Sequence, residues 1–221
     1  MAPATEIATW SLKAGTDIDD PSSNSGKVWA STLDTVSSQP GYQRAYYGRT
    51  LENPSIFQFL VDWDSYDHHQ DFVKSSIYGP FVKHLMTIVN GGFTMRHANF
   101  EPHPPSKVVG KTNAPVTEVL TAYVEAKDEG YAANVTKFGH KLQDERVQGF
   151  KGFSSGWVME NVEHEKFGEG KKGHAYVAVF GYETMEDHAR VRDSQFFKDN
   201  IGLIREGAAG LQMHHVCFDE K

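Results

Sequence analysis

Imidazole is the side chain best suited to move protons near neutral pH, because its unperturbed pKa is about 6.5. The chain carries 11 histidines. Tyr66, His69 and Val73 fall at i, i+3 and i+7, one face of a helix, and Ile77, Phe81, His84, Leu85 and Ile88 extend the stripe. Met185, His188 and Val191 repeat its first part later in the chain. His69 and His84 are therefore expected to point inward, with Tyr66 and Tyr78 as neighbours able to share a proton. Residue type leaves two readings open for His69 and His188: a proton-transferring group, or a buried histidine satisfied by a strand-end backbone group. His84 stands where the second stripe has Leu203. Imidazole at a leucine-like site costs about 1–3 kcal/mol unless its nitrogens find partners. A ligand-facing pocket would supply such partners, and a core role stays open beside it. His97 and the pair His214-His215 lie in alternating stretches, His97 opposite Arg96 and His215 opposite His214. Alternation does not say which member of each pair lines a pocket. No carboxylate or cysteine stands at a fixed spacing from them, so no metal site is expected.

The elements that position these residues occur twice. Thr5-Glu6-Ile7-Ala8-Thr9 recurs as Thr117-Glu118-Val119-Leu120-Thr121, 112 residues on. Gly41-Tyr42 with Gly48 recurs as Gly149-Phe150 with Gly156, an offset of 108. Val61-Asp62-Trp63-Asp64-Ser65 through His69 matches Phe180-Gly181-Tyr182-Glu183-Thr184 through His188, an offset of 119. Met95, His97 and Phe100 match Met213, His215 and Phe218, an offset of 118. Four anchors in one order indicate a duplication. The changing offsets place four extra residues near 17–23 in the first copy and eleven at 163–173 in the second, both in polar, turn-rich segments.

Each copy spells β-α-β-β-α-β. In the first, strands over 5–12, 42–50, 55–63 and 93–100 alternate with a helix over 26–38 and a long helix from 65 to about 90. In the second, strands over 116–125, 151–160, 173–182 and 210–218 alternate with helices over 131–146 and 184–207. The expected division is 1–100, a stiff Pro-rich linker over 101–115, and 116–221. A split β-α-β sheet covers only one face with its helices. The expected fold class is therefore α+β, two fused ferredoxin-like repeats whose antiparallel sheets pack into an intrachain α+β barrel.

Composition excludes several roles. Lys plus Arg is 22 against 29 for Asp plus Glu, a net charge of −7 that repels nucleic acid. No apolar run reaches a membrane span. With one cysteine, Cys217, and no basic-then-apolar leader, a cytoplasmic protein is expected. Lys151-Gly152-Phe153 begins like an RNA-recognition signature, but Ser154-Ser155-Gly156 breaks its aromatic continuation.

The Pro40-Gly41-Tyr42 turn, the Trp63-Asp64-Ser65 junction, and the helix from Tyr66 through His69 to Tyr78-Gly79-Pro80-Phe81 resemble the dimeric α+β barrel superfamily. The resemblance is to a tandem of antibiotic-biosynthesis-monooxygenase (ABM) or stress-responsive A/B-barrel units, over nearly the whole chain. It implies a small, often aromatic ligand between sheet and long helix, one pocket per copy. It also implies acid–base chemistry on an aromatic or polyketide-like secondary metabolite: a cyclase, decarboxylase or monooxygenase. In the cofactor-free monooxygenases of this fold the substrate carbanion itself reduces dioxygen. On that reading His84, His69 and Tyr78 are the catalytic candidates, and Tyr66, Trp63, Phe81, His97, Asn99, His188 and His215 the substrate-binding ones. No cofactor is expected. The alternatives are a non-catalytic ligand-binding or stress-responsive protein, or a haem protein using His69, His84 or His188. The partner expected is a small molecule, neither nucleic acid nor membrane. The chain is expected to act as a monomer, its two halves replacing a dimer, with a higher oligomer as the alternative.

Overall fold

The computed structural model describes residues 2–221. In chain order the elements are β1 (Ala4–Leu12), α1 (Asn24–Ser37), β2 (Tyr42–Arg49), β3 (Ile56–Trp63), α2 (Tyr66–Lys74), α3 (Tyr78–Leu85), β4 (Val89–Ala98), β5 (Val116–Val124), α4 (Glu129–Asp144), β6 (Phe150–Trp157), β7 (Val162–Glu163), β8 (Lys172–Tyr182), α5 (Met185–Asp193), α6 (Gln195–Asn200), α7 (Gly202–Arg205), β9 (Gly210–Val216) and β10 (Asp219–Glu220). Both halves thus run β-α-β-β-α-β, and the fold is α+β with two antiparallel sheets. Among the described residues no helix is long and apolar enough to cross a membrane.

The chain forms two units. The first holds residues to His97 together with Asp219–Lys221, and the second holds Ala98–Phe218. Strand order in the first sheet is β10-β2-β3-β1-β4. β3, nearly all apolar, pairs antiparallel with β1 and β2, setting Ala8 opposite Phe59 and Trp10 opposite Phe57. Phe57, Phe59, Val61 and Trp63 of β3 pack with Trp10, Trp29, Val36 and Phe72 into the helix-side core. Gln58, Leu60 and Asp62, between them on the strand, are buried as well. A strand buried on both faces needs such an unalternated run.

The second sheet has the order β6-β8-β5-β9, with β7 pairing β8 at the long hairpin tip. Its register sets Leu120 opposite Ala178, Ala122 opposite Tyr176 and Glu118 opposite His215. Segment 98–115 lies in this unit. Ala98 and Glu101 bridge to Val158 and Ser155, and Val108, Val109 and Ala114 are buried.

The long helices expected over 65–90 and 184–207 are each broken. After Lys74, Ser75 takes an extended backbone (φ −72°, ψ 156°) and α3 restarts at Tyr78, while Ser194 (φ −74°, ψ 160°) separates α5 from α6. Serine competes for backbone groups with its hydroxyl, and each of these does so, Ser75 Oγ donating to Phe72 O and Ser194 Oγ to Val191 O. A break resets the rotational phase, so the facing expected of one continuous helix does not hold at every position of α3.

Each β2-like strand is entered through a glycine with positive φ, Gly41 at 80° and Gly149 at 77°. A Cβ at Gly41 would collide with the His68 ring, and at Gly149 with the Asp187 carboxyl. Only glycine permits both the left-handed backbone and the close approach of the following helix.

Candidate functional site

Helix capping aims the two equivalent histidines. Ser65 accepts the His68 backbone N–H at the start of α2, and Thr184 accepts that of Asp187 at the start of α5. These caps fix the first turn, so that His69 and His188 face the sheet one residue later, 1% and 5% exposed. Each meets a glutamate of the central strand and a histidine of the closing strand. In the first unit His69 Nδ1 lies 2.6 Å from His97 Nε2 and His69 Nε2 lies 3.4 Å from Glu6 Oε2. In the second, His188 Nδ1 lies 2.8 Å from His215 Nε2 and His188 Nε2 lies 3.3 Å from Glu118 Oε2. The duplication has copied a Glu–His–His relay.

Hydrogen-bond inventory orders the relay. A carboxylate only accepts, so the Nε2 edge of His188 is turned to Glu118 as an ion-pair contact, while the His188 Nδ1–His215 Nε2 pair shares one proton whose donor depends on the tautomer. The same logic runs through His97, His69 and Glu6. A nearly buried carboxylate is tolerated because the facing imidazole offsets part of its lost hydration. In the first unit the Trp63 indole N–H adds a bond of 3.1 Å to Glu6, and its ring stacks on His69 with centroids 5.1 Å apart. In the second, Tyr182 replaces Trp63, its centroid 4.9 Å from that of His188. Burial, reinforced by the charge of Glu118, raises the Tyr182 phenol well above its ordinary pKa, so it stays a hydrogen-bond donor.

A cavity between sheet and helices adjoins each relay, and the two differ in size. The first encloses about 30 Å³ and is lined by Glu6, His69, Trp10, Phe59, Tyr78 and Phe81 among others. The second encloses about 290 Å³, with Glu118, His188 and Tyr182 at its buried end and Leu120, Phe138, Phe180, Val191, Ile201 and Ile204 along its walls. Trp10 and Phe59 sit with centroids 6.2 Å apart; the equivalent cross-strand positions in the second unit carry Ala122 and Ala178. Filling by indole and phenyl closes the first cavity, whereas the second has the size and apolar walls of a small-ligand site.

Most of the residues singled out from sequence gather at these relays. His69, His97, His188 and His215 are relay members. Trp63 stacks on His69, Tyr66 sets its ring edge-to-face on His97 at 4.7 Å, and Tyr78 and Phe81 line the first cavity. Burial and then the charge of Glu6 raise the Tyr78 phenol pKa. His84 and Asn99 do not join them. His84 is exposed and lines neither cavity, a correction to the inward stripe: after the break at Ser75, α3 keeps the expected Phe81 and Leu85 inward and adds Val82, but leaves His84 and Ile77 outside. Asn99 is exposed, its backbone N–H bonded to Trp157 O in the second unit. The glutamates were missed, although Glu6 and Glu118 stand inside the first repeated pentapeptide.

The fold also supplies the carboxylate that spacing did not show. Glu118, His188 and His215 hold ligand atoms within 4.8 Å of one another, a two-histidine, one-carboxylate donor set. The rings are hydrogen-bonded directly to each other at 2.8 Å, which is the geometry of a proton relay. Haem fits poorly. Both ring nitrogens of His69 and of His188 are engaged within the relays, and His84 faces solvent.

No protein-family model matches the chain, and no curated protein matches it. Solved structures do. A candidate monooxygenase from Fusobacterium nucleatum subsp. nucleatum aligns over 98% of this chain and 92% of its own, with 12% identity and a TM-score of 0.63. One from Lactobacillus acidophilus aligns over 99% and 95%, with 13% identity and a TM-score of 0.60. An anthrone oxidase-like protein aligns over 100% and 93%, with 11% identity and a TM-score of 0.72. At such identities the likeness is one of architecture: over nearly its whole length the chain shares the duplicated α+β fold of these three structures.

Proposed function

We propose that the chain is a small-molecule enzyme that works at the second unit's cavity, removing a proton from a small aromatic compound and passing the resulting carbanion to dioxygen. The observation that carries this reading is the Glu118–His188–His215 relay at the floor of a 290 Å³ apolar cavity. The fold is shared with proteins described as monooxygenases and as anthrone oxidase-like, which favours oxygenation over the cyclase and decarboxylase alternatives.

In this mechanism the Glu118 carboxylate accepts the acidic C–H proton, and the Tyr182 hydroxyl donates to the oxygen on which negative charge develops. The N–H groups of His188 and His215 hold the base in place and can relay its proton. Apolar walls exclude water from the carbanion. Dioxygen is the oxidant: a methylene loses two hydrogens and gains one oxygen as a carbonyl, and the second oxygen leaves with those hydrogens as water. No residue of the protein changes oxidation state. The first unit, whose equivalent relay adjoins a 30 Å³ cavity, serves as a structural copy.

Anthrone is a suitable probe, being a flat aromatic with one acidic methylene. The wild-type chain should convert it to anthraquinone with one dioxygen consumed per molecule, and Leu120→Trp, which places an indole in the cavity, should abolish the reaction while the fold persists. Binding of anthrone without dioxygen uptake would replace this reading with a non-catalytic ligand-binding one.

A further inference from the structure

The walls of the two cavities correspond position by position, which exposes where they differ in chemistry. Glu6, Ala8, His69, Phe72, Tyr78, Val82, Leu85, Phe93 and Met95 of the first correspond to Glu118, Leu120, His188, Val191, Phe197, Ile201, Ile204, Leu211 and Met213 of the second. Of the further residues that line the second cavity, two are cationic, Arg192 and Arg205. At the equivalent sites, 119 residues earlier, the first unit has Val73 and Met86. Both cations therefore occur only in the unit whose cavity has room for a ligand.

Their surroundings leave them available to one. Arg192 is 58% exposed and its ion pair is a loose 3.9 Å contact with Asp193, itself 79% exposed. Arg205 is exposed and has no carboxylate partner among the described residues. A guanidinium is charged at every relevant pH and presents a planar fork of donors matched to a carboxylate or phenolate. Glu118 and His188 lie at the buried end of the same cavity, so the exposed arginines mark its mouth.

We infer that the second unit's cavity takes a small aromatic anion, its carboxylate or phenolate held by Arg192 and Arg205 at the mouth and its rings against the apolar walls. This rests on the proposed reading only in placing the reacting hydrogen of that ligand at Glu118.

The test is calorimetric titration of the full chain with 2-naphthoate and with its neutral methyl ester. Naphthoate should bind at least about tenfold more tightly than the ester, and Arg192→Gln and Arg205→Gln should each weaken naphthoate about tenfold, the worth of one charge-assisted contact. Ester binding should be unchanged in both variants, and Glu118→Gln should keep the preference for the anion. Equal affinity for the two probes, binding of neither, or a preference undiminished in both arginine variants would overturn the inference. An arginine-dependent preference in a chain that does not oxidise anthrone would sustain it while removing the proton-transfer reading.

Discussion

Glu118→Gln asks whether the relay performs chemistry, and its expected magnitude follows from the geometry. A carboxamide keeps an oxygen facing His188 Nε2, now 3.3 Å from the carboxylate, and nearly the same volume, so folding should change by about 1 kcal/mol or less. The amide has no useful basicity. Loss of a positioned general base lowers the rate about 10²- to 10⁴-fold, or about 3–5 kcal/mol of barrier. Glu6→Gln is the internal control, because Glu6 has the same strand position and the same histidine contact but adjoins only 30 Å³ of space. Initial rates of dioxygen uptake with anthrone, measured alongside thermal denaturation, separate the two. Glu118→Gln should lose activity with its melting temperature nearly intact, and Glu6→Gln should keep activity within about twofold. Equal losses in both variants would place the chemistry elsewhere, and a Glu118→Gln enzyme above one tenth of the parent rate would show that this carboxylate is not the base.

Two further outcomes concern the first unit. Burial raises the Asp62 pKa to about 6, against the opposing effects of the Thr5 hydrogen bond (2.6 Å) and the Arg44 charge. The folded state then holds a proton that the unfolded chain releases near pH 4, so stability falls as pH rises from about 4 to 6, by up to about 3 kcal/mol, and is flat above. Asp62→Asn, which still accepts from Thr5, should be more stable than the parent at pH 7.5 and equal to it below pH 4 in urea denaturation; parallel curves at all pH values would contradict the assignment. Trp10→Ala should cost about 3 kcal/mol, the low end for a buried tryptophan, since its indole N–H has no hydrogen-bond partner among the described residues. The variant should also admit a second equivalent of methyl 2-naphthoate; unchanged stoichiometry would mean that Trp10 does not close the first cavity.

Much of this architecture was legible because duplication reports spacing. The four repeated anchors located both units' strands to within a few residues, and they contained every relay residue. Pattern alone could not pair them: Glu118 and His215 are 97 residues apart and meet only because β5 and β9 adopt the observed register. The glutamates passed unnoticed because a lone carboxylate on a strand resembles any solvated alternation. His84 misled for a local reason. Continuous apolar spacing across Ser75 predicts one helix, and nothing in side-chain periodicity records that this serine turns its hydroxyl back on Phe72 O and leaves the helical backbone. Cavity size was also hidden, since it depends on which side chains lie diagonally beside one another on paired strands, Trp10 and Phe59 in one unit against Ala122 and Ala178 in the other.

A crystal structure of the chain with 2-naphthoate addresses the central claim most directly. The account predicts one ligand per chain, its rings between the second sheet and α5–α7 and its edge against Glu118 and Tyr182. A ligand beside Glu6, at a surface unconnected to either relay, or in the second cavity but remote from Glu118 would contradict it.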